Sequence, residues 1–482
     1  MTQNTVIERR LGVSENFFRS RTASGFYRNF QVTATYSKNL TELKLLYMAL
    51  RKTILEYHIL ICNVFKDQDA GYSVYRPIAN AKLGDLVEFK GESFGFEKGL
   101  LTENFMKYAN DEYVFPLYVE KPLFKLIVLG DYSVCALFEH TIADGVAGNY
   151  FHEVFLKNLA HIDDLQDSDS FEEQFGVLPL VIGMDSIIFD YAKDKEFIKN
   201  SLPPPIDDFM EDIELDYSFG KEDFFEKVIP KEFPDRWPGI SPSTSDFSIS
   251  FKLINISPDQ LKLLLARCKK ESVTLSAYIA VIFCMTLQSV VGDNHYTVNK
   301  TAINLRRFMD PKFTSPEYQC ILTDPDYKIL GTFAHVGVGQ NLPPINDFSW
   351  ELTKSFNTNL KSLLSNRRLL NNQKAFKEVY SELDDNTDFF TKSLGKPKVD
   401  HTKFSNLGLI RFPQLANNWT ITNMVFAQDL SPSAAEFMLS SISTALGGMN
   451  FVLSYFDLGP QSKPLDSLIT ELKHNILRFA LD

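Results

Sequence analysis

"ALFEHTIADGVAGNYF", residues 136–151, is the stretch whose reading decides the fold. An apolar run ends on His140, and from Gly145 onward Val146, Tyr150, Val154, Phe155 and Leu159 recur at the three- and four-residue steps of one helix face. Upstream, "LFKLIVLG" (123–130) and "YSVCALFEH" (132–140) are short apolar runs parted by Gly130 and Asp131, which reads as a hairpin. The pattern H-x-x-x-D-G, made by His140, Asp144 and Gly145, therefore lies on a strand-to-helix turn, with Gly145 as the small residue where the helix begins.

A bare His-x-x-x-Asp arises by chance about once in two chains of this composition, so the value of the pattern is in that setting. A histidine at the end of a buried strand is held by the sheet while its ring projects beyond it, and an imidazole with a pKa near about 6.5 accepts a proton at neutral pH. Asp144 has three open roles: contact with that ring, a brace to a basic partner, or a helix N-cap that needs no catalysis. Strand parity turns Cys135 away from the His140 side and disfavours a Cys–His nucleophile. Glu139 and Thr141 read as scaffold. The eight histidines, at 58, 140, 152, 161, 295, 335, 401 and 474, show no H-E-x-x-H or close pairing, and no metal site is expected.

A chain of 482 residues calls for two or three domains or one large bilobed body, and its 44% hydrophobic and 23% charged residues are globular values. Acidic residues outnumber basic ones 61 to 49, with no long Lys/Arg block, which argues against nucleic acid as a partner. Cys62, Cys135, Cys268, Cys284 and Cys320 are widely spaced, suggest neither disulfides nor zinc, and fit a reducing, cytoplasmic setting. Two arginines stand where a signal peptide would carry its apolar stretch. The 41 Phe and 19 Tyr fit an aromatic core or an apolar substrate channel equally. "VTLSAYIAVIFCMTLQSVV" (273–291) is uncharged but broken by polar residues, so a buried core helix is expected there rather than a membrane span.

The first half opens with a strand at 25–37 and a helix carrying Leu43, Leu46, Leu50 and Ile54. Residues 162–245 are acidic and bear prolines, which marks a crossover. The organisation expected is an N-terminal lobe at 1–185, a crossover linker at 186–245 and a C-terminal lobe at 246–482. In the last part, strands are expected at 246–256, 295–305, 329–339, 403–412, 419–428 and 449–458. Helices follow Ser257, which reads as an N-cap before Pro258, and lie at about 348–364, 372–384 and 464–480. Strands and helices mix without regular alternation, so the fold class is α+β, with mixed sheets flanked by helices. Neither G-x-G-x-x-G nor G-x-x-x-x-G-K-[ST] occurs, which removes the usual support for nucleotide chemistry.

"RRLGVSENFFRSR", "GFYRNFQVTATY", "KPLFKLIVLG", "HTIADG", "AINLRRF", "KFSNLG" and "MNFVLSYFDL" together resemble the fungal alcohol O-acetyltransferase family, within the superfamily of CoA-dependent acyltransferases and peptide-synthetase condensation domains. The resemblance covers nearly the whole chain and extends to yeast sphingoid-base N-acetyltransferases. It implies two chloramphenicol-acetyltransferase-like lobes with an active-site tunnel at their interface, acetyl-CoA as co-substrate, and His140 as the general base. It also implies that Asp144 braces the site through an arginine of the second lobe, Arg306 before Arg307. Ser405 and Asn406 become candidate oxyanion or tunnel contacts. The D-F-G-W-G of the plant branch is absent, so that branch's substrates are not carried over.

The acceptor expected is a hydrophobic alcohol; a long-chain amine, such as a sphingoid base or a sphingosine-like drug, is the alternative within enzymes. A non-catalytic lipid-binding protein is the alternative of another class. A cytoplasmic monomer is expected, and the resemblance implies peripheral contact to endoplasmic reticulum or lipid droplets. The C-terminal "PLDSLITELKHNILRFALD" sets Leu465, Leu468, Leu472, Ile476 and Phe479 on one face, for packing on the second lobe or for a lipid surface.

Overall fold

A computed structural model of the chain describes residues 5–67, 71–165, 169–208, 237–239, 242–290, 295–308, 335–365, 368–380, 385–398, 400–459 and 465–481. The hairpin read around Gly130 is present: Phe124–Leu129 pairs antiparallel with Ser133–Phe138, and Gly130 turns between them at φ +58°. Ser133–Phe138 pairs on its other edge with Phe30–Tyr36. The outer strand beyond the hairpin is Val87–Lys90, parallel to Phe124–Leu129.

The fifth strand of this sheet comes from far along the chain. Ile421–Gln428 pairs antiparallel with Phe30–Tyr36, so a segment from the last part of the chain completes the first sheet. Phe30–Tyr36 is thus flanked on both edges and buried along nearly its whole length. The helices Leu43–Glu56 and Gly145–Asp164 pack on one another, with Asn158 Nδ2 donating to Thr53 Oγ1 at 2.9 Å between them.

The second sheet has six strands in the order Ile249–Ile256, Gly448–Phe456, Phe437–Thr444, Thr402–Ile410, Thr297–Asn304, His335–Leu342. Thr402–Ile410 is parallel to both its neighbours and the other pairs are antiparallel, so both sheets are mixed. Leu275–Val290, the uncharged helix of the sequence, is buried from Ala277 to Gln288. Pro258–Lys270, Trp350–Ser365 and Leu465–Leu481 pack around it. Ser257 caps Pro258–Lys270 by accepting from Gln260 N at 3.3 Å.

Among the described residues no single helix is long and apolar enough to cross a membrane; Pro258–Lys270 and Leu275–Val290 are that apolar only together, and they meet at 100°. The apolar face of the C-terminal helix is spent on the second core. Leu465, Leu468, Leu472 and Ile476 are buried, Tyr278 Oη donates to Ile476 O at 2.9 Å, and Phe479 stacks on Phe348 at 4.8 Å.

The described ends of the crossover lie one on each lobe. Ile187–Asp190 pairs with Asn80–Lys82, whereas Trp237 is buried in the second core with its carbonyl 2.5 Å from His401 Nε2.

Candidate active site

The motif strand ends at Phe138, two residues before His140, and Glu139 N–H extends the pairing by donating to Leu123 O at 2.9 Å. The chain then turns. His140 is buried, and its Nδ1 lies 2.9 Å from Ala143 O. A carbonyl only accepts, so Nδ1 carries the hydrogen and Nε2 carries the lone pair. Phe18 stacks on the ring at 5.1 Å, Phe30 meets it edge-on at 5.1 Å and Tyr27 lies at 5.4 Å, so three first-lobe aromatics fix its plane.

Glu139 and Thr141 hold this turn. The Glu139 carboxylate accepts from Thr141 N at 2.6 Å and from Thr22 Oγ1 at 2.5 Å, while Tyr75 Oη donates to Thr141 O at 2.7 Å. Burial raises the Glu139 carboxyl above the usual carboxylate range, against the pull of these bonds and of Arg21. Cys135 stands opposite Thr33 in the pairing, and burial pushes its thiol up to about 12, far from a nucleophilic thiolate.

Asp144 fills two of the roles left open by the sequence. Its Oδ1 accepts from Ala147 N at 3.0 Å as the N-cap of Gly145–Asp164, a bond type worth about 1 kcal/mol. It also takes a two-pronged bond from the second lobe: Arg306 Nη1 reaches Oδ2 at 2.8 Å and Nη2 reaches Oδ1 at 3.0 Å. Both side chains are buried, at 6% and 4% exposure. Arg306 sits on the 3₁₀ turn Leu305–Phe308 that ends the strand Thr297–Asn304. Asn304 Oδ1 accepts from Arg306 N at 3.0 Å and from Nη1 at 3.3 Å, which aims the guanidinium.

Gly145 is small for a reason different from the one read in the sequence. A Cβ there would stand 2.7 Å from Phe426 Cζ and 3.1 Å from Leu407 Cδ2, so its size lets Ile421–Gln428 and the strand Thr402–Ile410 at Leu407 approach the motif helix.

Between the lobes lies a cavity of about 50 Å³, lined by His140 and Gly145 on one side and by Asn304, Lys403, Ser405 and Asn406 on the other. Consecutive residues Ser405 and Asn406 both reach it because the strand is irregular there. Its register shifts between Asn406 and Leu409, and Gly408 adopts φ +87°. Asn406 is anchored: its Nδ2 donates to Ser276 Oγ at 3.2 Å, and its Oδ1 accepts from Gly408 N at 2.9 Å and Ser441 Oγ at 3.1 Å.

The structure therefore brings His140, Asp144, Gly145, Arg306, Ser405 and Asn406 together. It adds Lys403, whose amine burial pushes down to about 7, with Lys300 and Arg21 adding to the shift. Arg21 is also buried, and burial lowers it to about 10; its Nε and Nη2 find no hydrogen-bond partner among the described residues. Its guanidinium instead lies over Tyr27 at 3.7 Å and Phe18 at 4.3 Å. The motif gave no signal for Phe18, Tyr27, Arg21 or Asn304; the segments "ENFFRSR", "GFYRNF" and "AINLRRF" carried them unassigned.

The family model described as alcohol acetyltransferase matches residues 10–476. The chain belongs to the alcohol acetyltransferase family. It is similar to the N-acetyltransferase SLI1 of Saccharomyces cerevisiae, 22% identical over 92% of this chain and 95% of that protein. It is also similar to an uncharacterized protein of Schizosaccharomyces pombe, 36% identical over 23% of each chain. Among solved structures, the trichothecene 15-O-acetyltransferase TRI3 of Fusarium sporotrichioides superposes with a TM-score of 0.65 at 13% identity, over 98% of this chain and 95% of that one. The first condensation domain of the calcium-dependent antibiotic synthetase gives 0.60 at 11% identity, over 99% and 98%. The likeness to these structures establishes the two-lobed α+β fold. Family membership makes the chain an acyltransferase acting in acetyl transfer, implies acetyl-CoA as co-substrate beside an acceptor, and sets the non-catalytic reading aside.

Proposed function

We propose that the chain moves the acetyl group of acetyl-CoA to the hydroxyl of a hydrophobic alcohol, with His140 as the general base. The observation that carries this reading is the Nδ1–Ala143 O contact of 2.9 Å, which gives the ring a basic Nε2 in a cavity between the lobes. Nε2 takes the hydroxyl proton as the oxygen attacks the thioester carbonyl, then hands it to the departing CoA sulfur, with no acyl-enzyme. Asp144 is a positioning residue: capped onto the helix and paired with Arg306, it holds the turn that presents the base. Ser405 is the better oxyanion donor of the two candidates, since the Asn406 amide is already committed to Ser276.

Phe18, Tyr27 and Phe30 give the base an aromatic surround that suits an apolar acceptor of either kind, and one feature supports an alcohol over an amine. The partly protonated Lys403 and the buried Arg21 near it bring cationic character to the site, which is unfavourable for a long-chain ammonium. The similarity to an N-acetyltransferase over 92% of the chain keeps amide formation as the second reading.

Release of free CoA with straight-chain alcohols, sterols and sphingoid bases, followed by mass spectrometry of the product, tests both. Esters of hydrophobic alcohols are the expected product; amides of sphingoid bases with no ester would replace the first reading with the second. His140→Ala is expected to lower kcat by about 10² to 10⁴ while the circular dichroism spectrum stays that of the parent. Unchanged turnover in a folded variant would remove His140 from the chemistry.

A further inference from the structure

The reaction as derived leaves one group in the cavity unused. Lys403 is the second residue of Thr402–Ile410, and Thr402 and Phe404 on either side are fully buried. Alternation along the strand turns Lys403 and Ser405 to the opposite face, where both line the cavity with His140.

The carboxylates near Lys403 are already engaged. Asp400 holds Lys300 at 2.8 Å, and Asp144 holds Arg306 at 2.8 Å. The Lys403 amine makes no hydrogen bond or ion pair with the described residues. Lys300 stands directly opposite it in the parallel pairing, and Arg21 approaches from the first lobe. Half-buried, and faced mainly by cations, an amine at about 7 is roughly half unprotonated at neutral pH, against about 10.4 for an ordinary lysine. Such an amine is a nucleophile, and a stronger one than any alcohol brought to the same carbonyl.

We propose that Lys403 is a self-acetylation site: when no acceptor occupies the cavity, its Nζ attacks the thioester carbon of acetyl-CoA. The Nζ–C bond forms and the C–S bond breaks; the proton lost from Nζ passes through His140 Nε2 to the departing sulfur. The products are Nε-acetyl-lysine and free CoA, with no further reactant. The modified side chain has lost its charge and gained bulk in a cavity of about 50 Å³, so it obstructs the acceptor. This inference rests on the reading that acetyl-CoA presents its thioester beside His140.

The test incubates the full chain with deuterium-labelled acetyl-CoA and no acceptor, then maps labelled lysines by peptide mass spectrometry. Lys193, with a side chain 77% exposed, reports uncatalysed labelling. Lys403 is expected to label well ahead of Lys193, with a rate that levels off above pH 7 while that of Lys193 keeps climbing. His140→Ala is expected to slow Lys403 labelling about 10²-fold and to leave Lys193 unchanged. Suppose the preparation acetylates an alcohol, yet Lys403 labels no faster than Lys193, or labels equally fast in His140→Ala: the proposal is then overturned and the function above stands. Absence of CoA release with every acceptor, together with an unlabelled Lys403, overturns both.

Discussion

The motif wall of the cavity comes from one contiguous turn, residues 140–146, whereas the second-lobe wall is gathered from the ends and bulges of separate strands, with Asn304 on one and Lys403, Ser405 and Asn406 on another. In the first wall, bonds between near neighbours set the geometry: His140 to Ala143, Thr141 to Glu139, Ala147 to Asp144. In the second, register and a bulge set it. A base can therefore be preset locally, while the groups that surround its substrate depend on two sheets docking correctly. Arg306–Asp144 is where the two modes meet.

Removing that link is expected to have the largest effect on stability. Arg306→Ala leaves a carboxylate stranded at 4% exposure and should cost about 3–5 kcal/mol in denaturant unfolding, with part recovered in the double variant carrying Asp144→Asn. A loss under about 1 kcal/mol would mean that the walls are held together elsewhere.

Acid is expected to loosen the first wall next. His152, on the motif helix, lies 2.8 Å from Val32 O, to which Nε2 donates, and its Nδ1 accepts from Tyr36 Oη at 2.8 Å. Burial lowers it from 6.5 to about 4, so the folded ring stays neutral where the unfolded one takes a proton. Between those pH values the unfolded chain binds more protons, and the contribution of His152 to stability rises with pH; it is lost as pH falls from 6.5 toward 4. The whole loss is about 3 kcal/mol, read as the difference in the pH dependence of unfolding between the parent and His152→Gln. Parallel curves for the two chains would contradict it.

Gly145→Ala probes the contact between the motif helix and the strand Ile421–Gln428. Overpacking against Phe426 and Leu407, less what alanine gains over glycine in a helix, should cost about 1–2 kcal/mol in thermal or denaturant unfolding. A stabilised variant would show that the helix start can shift to make room.

The same division governs what could be read from the sequence. Hairpin, turn and helix around His140 were legible because short-range pattern determines them, and Cys135, which parity turns away from the His140 side, stands opposite Thr33 in the pairing. The α+β class followed from composition and periodicity, as did most second-lobe strands, but Phe437–Thr444, central in the second sheet, was not read as one; the pairing of Asp144 with Arg306 was suggested by family resemblance. Lys403 was not legible: a lysine between Thr402 and Phe404 reads as the solvent side of a strand, and only the docking of the first lobe sets it in a cavity with His140. Phe18, Tyr27 and Phe30 were missed for the same reason, since aromatic residues around a distant histidine leave no spacing signature. Ile421–Gln428 was recognised as a strand, but nothing local says that its partner is Phe30–Tyr36.

That partnership governs the order in which the protein can be completed. As the chain is synthesised, Phe30–Tyr36 and the hairpin emerge early, but the edge of Phe30–Tyr36 that faces Ile421–Gln428 stays uncovered until nearly four hundred further residues have been made. An apolar, unpaired strand edge persisting that long is a template for wrong pairing, and closing so distant a contact is slow. The nascent N-terminal lobe is therefore exposed to wrong pairing along that edge, and a chain cut before residue 421 would lack the strand that covers it.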